Sequence, residues 1–368
     1  MGLLSLDDLR RADGARYVLS PPPAPVCGKG DFKIAATGFE HGHIYGMCQA
    51  LVRAGATVAW VYDHDQEKVA KFREMYPEVR VARCLDEILS DPEVRLVAAA
   101  AVPNERATLG LQVMAAGKDY FTDKTPFTTL EQLASARLAV ERTGQKYMIY
   151  YGERLCSECA MLAGDLIEQG AIGRVLQVIG LGPHRLGAFE SRPDWFFQKE
   201  KYGGILCDIG SHQCEQFLHY TGAKEASVNF ARVENFAHPQ FPELEDFGEG
   251  SLRGDNGTSF YFRVDWFTPD GLRTWGDGRT MILGTEGTIE LRKFVDIGTE
   301  HKGNQLYLTD HRQEVRIDAA GSVGTRFFGQ LIRDCLDRTE TAMTQEHAFK
   351  AAELCLRLQA EADRCRTA

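Results

Sequence analysis

The chain has 368 residues, of which 44% are hydrophobic and 26% charged, and its formal net charge is −10. The length predicts two domains, and the composition excludes a disordered or fibrous protein. The negative charge argues against a nucleic-acid partner, because phosphate backbones select basic surfaces.

The sequence shows no targeting or membrane signal. Asp7 and Asp8 come too early for a signal peptide. No apolar run approaches the roughly 18 residues needed to span a bilayer. The ten cysteines lie between Cys27 and Cys365 without the spacing of a disulfide framework. We therefore expect a cytoplasmic protein with reduced thiols and no membrane partner.

The first half of the chain shows a terminal arm followed by an α/β pattern. Residues 1–31 are predicted to be an arm or linker, because the proline cluster at 21–25 excludes regular helix. Residues 32–151 alternate short apolar strands with amphipathic helices, which predicts a Rossmann domain with a doubly wound parallel sheet. The strands are 33–37, 57–62, 96–102, 120–122 and 146–150, and the helices are 44–54, 66–76, 105–116 and 130–143.

The second half of the chain has a different rhythm. Its strands are closely spaced and joined by short turns, which predicts an α+β domain over 152–368 with a mainly antiparallel open sheet. The strands are 175–181, 226–233, 258–266, 280–283, 288–291 and 305–308. The helices are 155–168, one after Gly203-Gly204, 325–338 and 347–364.

A glycine-containing segment lies where the first strand runs into the first helix. A pyrophosphate would bind there against free N–H groups and the positive end of the helix. Read strictly as G-x-G-x-x-G, the motif is broken, because Glu40 replaces the second glycine and His43 the third. A carboxylate at Glu40 would repel phosphate unless its side chain points away. The segment expected to contact a dinucleotide is Gly38, Phe39, Glu40, His41, Gly42 and His43.

Asp63 ends the second strand, about twenty residues beyond Gly42. An acid at this place accepts hydrogen bonds from the adenosine ribose and repels the 2′-phosphate of NADP. Asp63 alone is equally typical of an ordinary turn. After a strand–glycine–helix unit, however, it favours NAD over NADP as the cofactor.

Six short motifs follow one another in a fixed order. They are Pro103-Asn104, Asp123-Lys124-Thr125-Pro126, Gly152-Glu153-Arg154, the segment 168–174, the Gly-Gly…Asp-x-x-x-His segment 203–212 and the segment 284–291. Together they resemble the Gfo/Idh/MocA family, the group of glucose–fructose oxidoreductase and inositol dehydrogenase, from Phe32 onward. The family has Glu-Lys-Pro where this chain has Asp123-Lys124-Thr125, so the family's geometry at Lys124 is not assumed.

The resemblance implies contacts and an assembly as well as a fold. The cofactor would be contacted after the fourth and fifth strands by Pro103, Asn104, Asp123 and Lys124. Arg154, at the start of the second domain, would contact the substrate. The sheet of the second domain would join copies of the chain into homodimers or homotetramers.

Lys124, Asp208 and His212 are the predicted catalytic group. Asp208 and His212 lie four residues apart on a predicted helix, so both face one point. An imidazole can take a hydroxyl proton while hydride leaves the carbon. Lys124 follows a parallel strand at the edge where ligands bind, and its ammonium can stabilise negative charge developing on oxygen. Without Lys124 and the resemblance, the other two would be equally typical of a helix salt bridge.

The segment before the Gly-Gly helix combines polar side chains with aromatic rings, which suits a sugar-like ligand. The candidates for substrate contact are His184, Arg185, Trp195 and Tyr202, and each is also typical of loop packing. No metal site is expected, because the histidines lack ligand spacing. Those considered are His41, His43, His212 and His301.

The leading hypothesis is reversible oxidation of a secondary hydroxyl on a sugar, inositol or related polyol, with NAD as hydride acceptor. A redox-neutral enzyme is one alternative: it would oxidise a sugar transiently, eliminate or hydrolyse a glycosidic bond, and return the hydride. The other alternative is a sensing protein that keeps the fold without turnover. The broken glycine motif favours sensing, and the three intact catalytic candidates oppose it.

Overall fold

The computed structural model describes residues 23–299 and 302–366. Most of the predicted arm, residues 1–22, and His301 lie outside these ranges. The end of the arm contacts the first domain, where the Val26 N–H donates to the Ala54 carbonyl at 2.9 Å. Cys27 lies against Gly55, whose φ of +116° and close approach leave no room for a side chain. Residues 26 and 27 are thus attached to the Rossmann domain.

The first domain is built on a six-stranded parallel sheet in the order β3-β2-β1-β4-β5-β6. This order is typical of doubly wound dinucleotide-binding folds. β4 is buried except at Arg95, as expected for a central parallel strand. The strands are β1 Lys33–Phe39, β2 Thr57–Tyr62, β3 Arg80–Val81, β4 Val94–Ala100, β5 Asp119–Asp123 and β6 Tyr147–Tyr150.

Helices α1 to α5 connect these strands. α5 is capped at its start by Thr129, whose side chain accepts the Gln132 N–H, and at its end by Gly144 in the left-handed conformation. The short elements β3 and α3 were not predicted, because two and six residues are too few for a periodic pattern. The helices are α1 His43–Arg53, α2 Gln66–Met75, α3 Leu85–Ser90, α4 Arg106–Ala115 and α5 Leu130–Thr143.

The second domain contains an eight-stranded sheet in the order β14-β13-β12-β11-β7-β10-β9-β8. All neighbours are antiparallel except β7 and β10, which run parallel. The predicted fold class is therefore confirmed, although β9 and β14 were not predicted. The strands are β7 Val175–Pro183, β8 Ala226–Glu234, β9 Phe247–Gly254, β10 Ser259–Asp265, β11 Arg279–Gly284, β12 Gly287–Arg292, β13 Gln305–Asp310 and β14 Glu314–Asp318.

The last helix joins the two sheets. The Gln345 amide both donates to the Tyr147 carbonyl at 2.7 Å and accepts the Tyr147 N–H at 2.9 Å, so it continues the edge of the Rossmann sheet. None of the helices within the described ranges has the length and apolarity needed to cross a bilayer. The helices are α6 Gly152–Leu155, α7 Glu158–Glu168, α8 Lys199–Tyr202, α9 Ile205–Asp208, α10 Gly210–Thr221, α11 Phe327–Asp337 and α12 Gln345–Arg366.

Candidate active site

A cavity of about 140 Å³ lies between the carboxyl edge of the Rossmann sheet and the second domain. Residues from both halves line it, and many of them combine a polar group with an aromatic plane. The lining residues are His41, His43, Pro103, Arg106, Lys124, His184, Arg185, Arg192, Trp195, Phe196, Tyr202, Asp208, Trp266 and Trp275. Parallel strands of this fold place ligands at this edge.

Lys124 and Asp208 meet in this cavity. Lys124 follows β5, Asp208 ends α9, and the ammonium donates to Asp208 Oδ1. The side chains are 5% and 16% exposed. Burial alone raises the pKa of Asp208, but the charge and hydrogen bond of Lys124 outweigh it and hold that pKa below its usual value. The structure therefore brings together two of the three predicted catalytic residues, 84 positions apart.

Arg106 and Asp123 hold the turn that presents Lys124. The guanidinium of Arg106, 1% exposed, donates to the carbonyls of Ala101, Lys124 and Thr125. The Asp123 carboxylate accepts the Lys124 N–H at 2.8 Å. Sequence reasoning missed Arg106. The available signal was a basic residue in the first turn of α4, where the helix dipole disfavours positive charge.

His212 lies behind Asp208. A turn at Ile209 separates α9 from α10, so the predicted single helix is interrupted between the two residues. The ring of His212 is 3% exposed and does not line the cavity, and its Nδ1 has no hydrogen-bond partner among the described residues. Burial lowers the pKa of His212 to about 3, against the opposing charge of Glu153, and Lys124 lowers it further. The imidazole is therefore neutral at physiological pH.

A buried polar network that sequence reasoning missed supports this region. Lys293 and Glu153, 0% and 2% exposed, form an ion pair at 2.6 Å. Gln213 and Gln216, on the helix of His212, donate to the same Glu153 oxygen at 2.9 and 3.3 Å. Burial raises the pKa of Glu153, but the charge and hydrogen bond of Lys293 oppose it, and the pKa is lowered to about 2. The network fixes α10 relative to β12 and α6.

Four of the five predicted substrate residues line the cavity, and the fifth, Arg154, does not. The four are His184, Arg185, Trp195 and Tyr202. The ring centroid of His184 is 4.5 Å from that of Trp275, and burial lowers its pKa to about 4. The Tyr202 hydroxyl is already bonded to the backbone of Glu243 and Glu245, so its ring rather than its oxygen faces a ligand. Arg192, stacked 5.1 Å from Trp266, was not predicted.

Arg154 does not reach the cavity. Its guanidinium, 5% exposed, donates to the fully buried carboxylate of Glu215. His347 contacts the same carboxylate at 3.1 Å. Contact between Arg154 and a substrate is thus not supported, because a bidentate buried ion pair occupies the side chain.

We expect Arg154→Leu to lower the free energy of unfolding by about 3–5 kcal/mol, because it leaves the Glu215 charge buried without its main partner. Urea unfolding followed by circular dichroism measures the change. The double variant Arg154→Leu/Glu215→Leu should recover most of the loss. A single variant as stable as the parent would contradict a structural role for the pair.

The backbone N–H groups of the glycine-containing loop bond mainly to neighbouring parts of the Rossmann domain. Gly38 has a φ of +63°, and a Cβ there would lie 3.0 Å from Ala101, so only glycine suits the turn. The N–H groups of Glu40 and His41 both donate to the Ala100 carbonyl at 3.1 Å. Both N–H groups therefore already have an acceptor and are not free to donate to a phosphate. Gly42 caps α1, and a Cβ there would meet open space.

Asp63 and Glu40 have separate anchors in this loop. Asp63, 7% exposed, accepts the Phe39 N–H at 2.7 Å and the Asp65 N–H at 2.9 Å. Glu40 pairs with Lys68 at 2.7 Å, and its second oxygen accepts the Trp195 indole N–H at 3.2 Å. Lys68 thus offsets the charge that stood against phosphate binding.

Comparison with known proteins agrees with both halves of this architecture. Residues 32–151 match the oxidoreductase family with an NAD-binding Rossmann fold, and residues 161–290 match the GFO/IDH/MocA C-terminal domain. The crystal structure of a putative oxidoreductase from Erwinia carotovora atroseptica has a TM-score of 0.87 and 50% identity, covering 90% of this chain and 98% of the other.

More distant proteins share the fold or part of the sequence. Levoglucosan dehydrogenase in complex with NADH and levoglucosan has a TM-score of 0.75 at 18% identity, covering 90% of this chain and 97% of the other. The D-xylose dehydrogenase of Paenarthrobacter nicotinovorans is 29% identical over 39% of this chain and 38% of that protein. An uncharacterised oxidoreductase of Schizosaccharomyces pombe is 27% identical over 48% of this chain. The chain spans less than half the length of both these curated relatives, 38% and 46%. Since both domains match and half of the residues agree with an oxidoreductase over nearly the whole length, the chain belongs to the Gfo/Idh/MocA family of oxidoreductases.

Proposed function

We propose that the protein is an NAD-dependent dehydrogenase that oxidises a secondary hydroxyl of a sugar, inositol or related polyol. The observation that carries the proposal is the Lys124–Asp208 pair in a cavity lined by tryptophans and histidines. Aromatic planes beside polar groups suit a hydroxylated ring. Relatives named as dehydrogenases of D-xylose and levoglucosan support the same substrate class.

The nucleotide loop fits a dinucleotide through its turn and its ribose end. Gly38 gives the tight turn, and Asp63 stands at the end of β2, where a ribose hydroxyl would donate to it. The pyrophosphate end departs from the usual pattern, because two N–H groups are committed to Ala100. Pyrophosphate would therefore rely on Gly42 and the positive end of α1. A bound nicotinamide would supply the hydride acceptor.

The protein side of the reaction divides between two residues. Lys124, held by Asp208, would donate to the substrate oxygen and stabilise the negative charge that grows as the hydroxyl loses its proton. His212 is neutral and does not line the cavity, so a ring nitrogen would receive that proton through an intervening water. The buried Glu153 would then favour the protonated imidazole by its charge. His41, His43 and Pro103 line the cavity on its Rossmann side, where we place the cofactor, whereas Asn104 and Asp123 are not among its lining residues.

Replacing Asp63 by asparagine should reduce the preference for NADH over NADPH roughly tenfold, because it removes the charge that repels a 2′-phosphate while keeping an oxygen acceptor for the Phe39 N–H. Fluorescence titration with each cofactor measures the ratio of dissociation constants. Asp65→Asn, two residues further on, is the matched control and should leave the ratio unchanged. An unchanged ratio in Asp63→Asn would place the ribose elsewhere.

The deciding experiment is a product assay with NAD⁺ and a panel of aldoses, inositols and anhydrosugars. One NADH per molecule of oxidised sugar supports the proposal. A changed sugar without net NADH would assign the redox-neutral cycle instead. Cofactor binding without turnover on the panel would favour the sensing function, which the committed N–H groups of Glu40 and His41 also favour.

We also propose that copies of the chain associate through the second sheet. Phe230, Met281 and Leu283 are 42–44% exposed on its strands. Association would bury these apolar side chains. The number of subunits follows from light scattering on the purified protein.

A further inference from the structure

Three side chains with metal-binding chemistry meet on the Rossmann side of the cavity. His41 and His43 come from the loop that begins α1, and Asp123 ends β5. Their potential ligand atoms all lie within 4.8 Å of one another. His43 Nδ1 is 2.9 Å from Asp123 Oδ1, and His41 Nδ1 is 3.4 Å from Asp123 Oδ2. The expectation of no metal-ligand spacing missed this cluster, because the third member is 80 residues away in the chain.

The contact between His41 Nδ1 and Asp123 Oδ2 is not a hydrogen bond, because neither atom carries a proton. The backbone N–H of His43 donates to His41 Nδ1 at 3.2 Å, so this nitrogen carries no proton and the ring proton lies on Nε2. The same nitrogen faces the carboxylate oxygen Oδ2, which is also an acceptor. Two acceptors at this distance repel each other, and a cation between them removes the repulsion.

We infer that His41, His43 and Asp123 form a binding site for one divalent cation that accepts both imidazole nitrogen and carboxylate oxygen, such as Zn²⁺ or Co²⁺. Two histidines and one carboxylate leave coordination positions open. Both histidines line the cavity, so these positions face it and take water or an oxygen of a hydroxylated ligand. Binding replaces two hydrogen bonds: the one between His43 Nδ1 and Asp123, whose proton leaves to solvent, and the one from the His43 backbone N–H to His41 Nδ1, whose single lone pair then binds the cation.

Neighbouring charges set the selectivity of this site. Arg106 lies 3.4 Å from Asp123 Oδ2 and offsets part of the carboxylate charge. A hard cation that depends on anionic oxygens, such as Mg²⁺, is therefore disfavoured against one that gains from imidazole. We expect Co²⁺ and Zn²⁺ to bind to the site, and we expect that added Mg²⁺ does not displace either of them.

The test is titration of chelator-treated protein with Co²⁺, followed by its visible absorption, and with Zn²⁺ by calorimetry at pH 7.5. We expect one equivalent per chain, with binding weakened roughly 100-fold or more in His41→Ala and in His43→Ala. His311→Ala is the matched control, since this ring is 76% exposed and outside the cluster, and it should bind as the parent does.

Thermal melting checks that both variants fold, which we expect because His41 and His43 are half-buried. No absorption change at one equivalent, or titrations unaffected by both variants, would overturn the inference. A separate titration with NADH keeps this result apart from the proposed dehydrogenase function, which requires Lys124, Asp208 and His212 but no cation.

Discussion

Replacing Lys124 by methionine is expected to lower kcat for sugar oxidation by about 100- to 1000-fold, while the dissociation constant of NADH changes less than about threefold. Methionine keeps most of the stem volume but removes the ammonium that would stabilise the oxygen. It also leaves Asp208 without the partner that keeps its pKa low. Steady-state kinetics and fluorescence titration measure the two quantities separately.

Two further variants make the Lys124 result specific. Lys124→Arg keeps the positive charge and should retain NADH binding, yet still lose activity, because a planar guanidinium cannot occupy the place of a compact ammonium. Lys224→Met removes an exposed lysine outside the cavity and should behave as the parent. Loss of less than about tenfold in Lys124→Met would exclude the ammonium from the reaction.

His212→Gln is expected to lower kcat by about 100-fold or more, because it removes the group that we propose receives the hydroxyl proton. With a pKa of about 3, the imidazole of the parent stays neutral throughout ordinary assay conditions. The base form is lost only as the pH approaches that value. We therefore expect that protonation of His212 does not lower kcat of the parent near pH 6.5. Any decline in kcat near that pH should appear equally in the parent and in His212→Gln.

The same pKa makes a stability prediction for His212. The unfolded chain binds a proton at this residue below about pH 6.5, and the folded chain does not until about pH 3. Stability is thus complete above pH 6.5 and falls below it, by roughly 2 kcal/mol at pH 5 from this group. Denaturant unfolding of parent and His212→Gln between pH 7 and 5 measures the difference. If the free energy of unfolding falls equally with pH in the parent and in the variant, the buried neutral imidazole is contradicted.

In the kinetic experiment, a kcat of His212→Gln equal to that of the parent would assign proton transfer to Lys124.

Local patterns predicted the strand–helix order of both domains well. The apolar run of β4 predicts a strand buried on both faces, and the alternation in β10 and β11 predicts strands buried on one face. Both kinds of burial can be read from consecutive residues. β3 and β9 were missed for opposite reasons. β3 has two residues, and β9 contains three glycines, which hide the strand propensity.

The site residues that belong to sequence motifs were predicted, and those that reach the cavity from elsewhere in the chain without a motif were missed. Lys124 and Asp208 stand in motifs and do meet across the cavity. Trp266 and Trp275 stand in no motif, and only the packing of the two domains brings them near Lys124, whereas Arg106 reaches the cavity through its bonds to the turn of Lys124. Arg154 shows the converse, because its motif is present while its side chain is buried against Glu215.

The bond between the Trp195 indole and Glu40 spans the two domains, from the cavity wall to the loop after β1. A polyol that shifts the indole changes the environment of the loop carboxylate, and a dinucleotide that shifts the carboxylate releases the indole. Thermodynamic linkage then requires that each ligand alter the affinity of the other by the same factor. The contact between this acid and this tryptophan would therefore couple the affinities of the two ligands, whichever of them binds first.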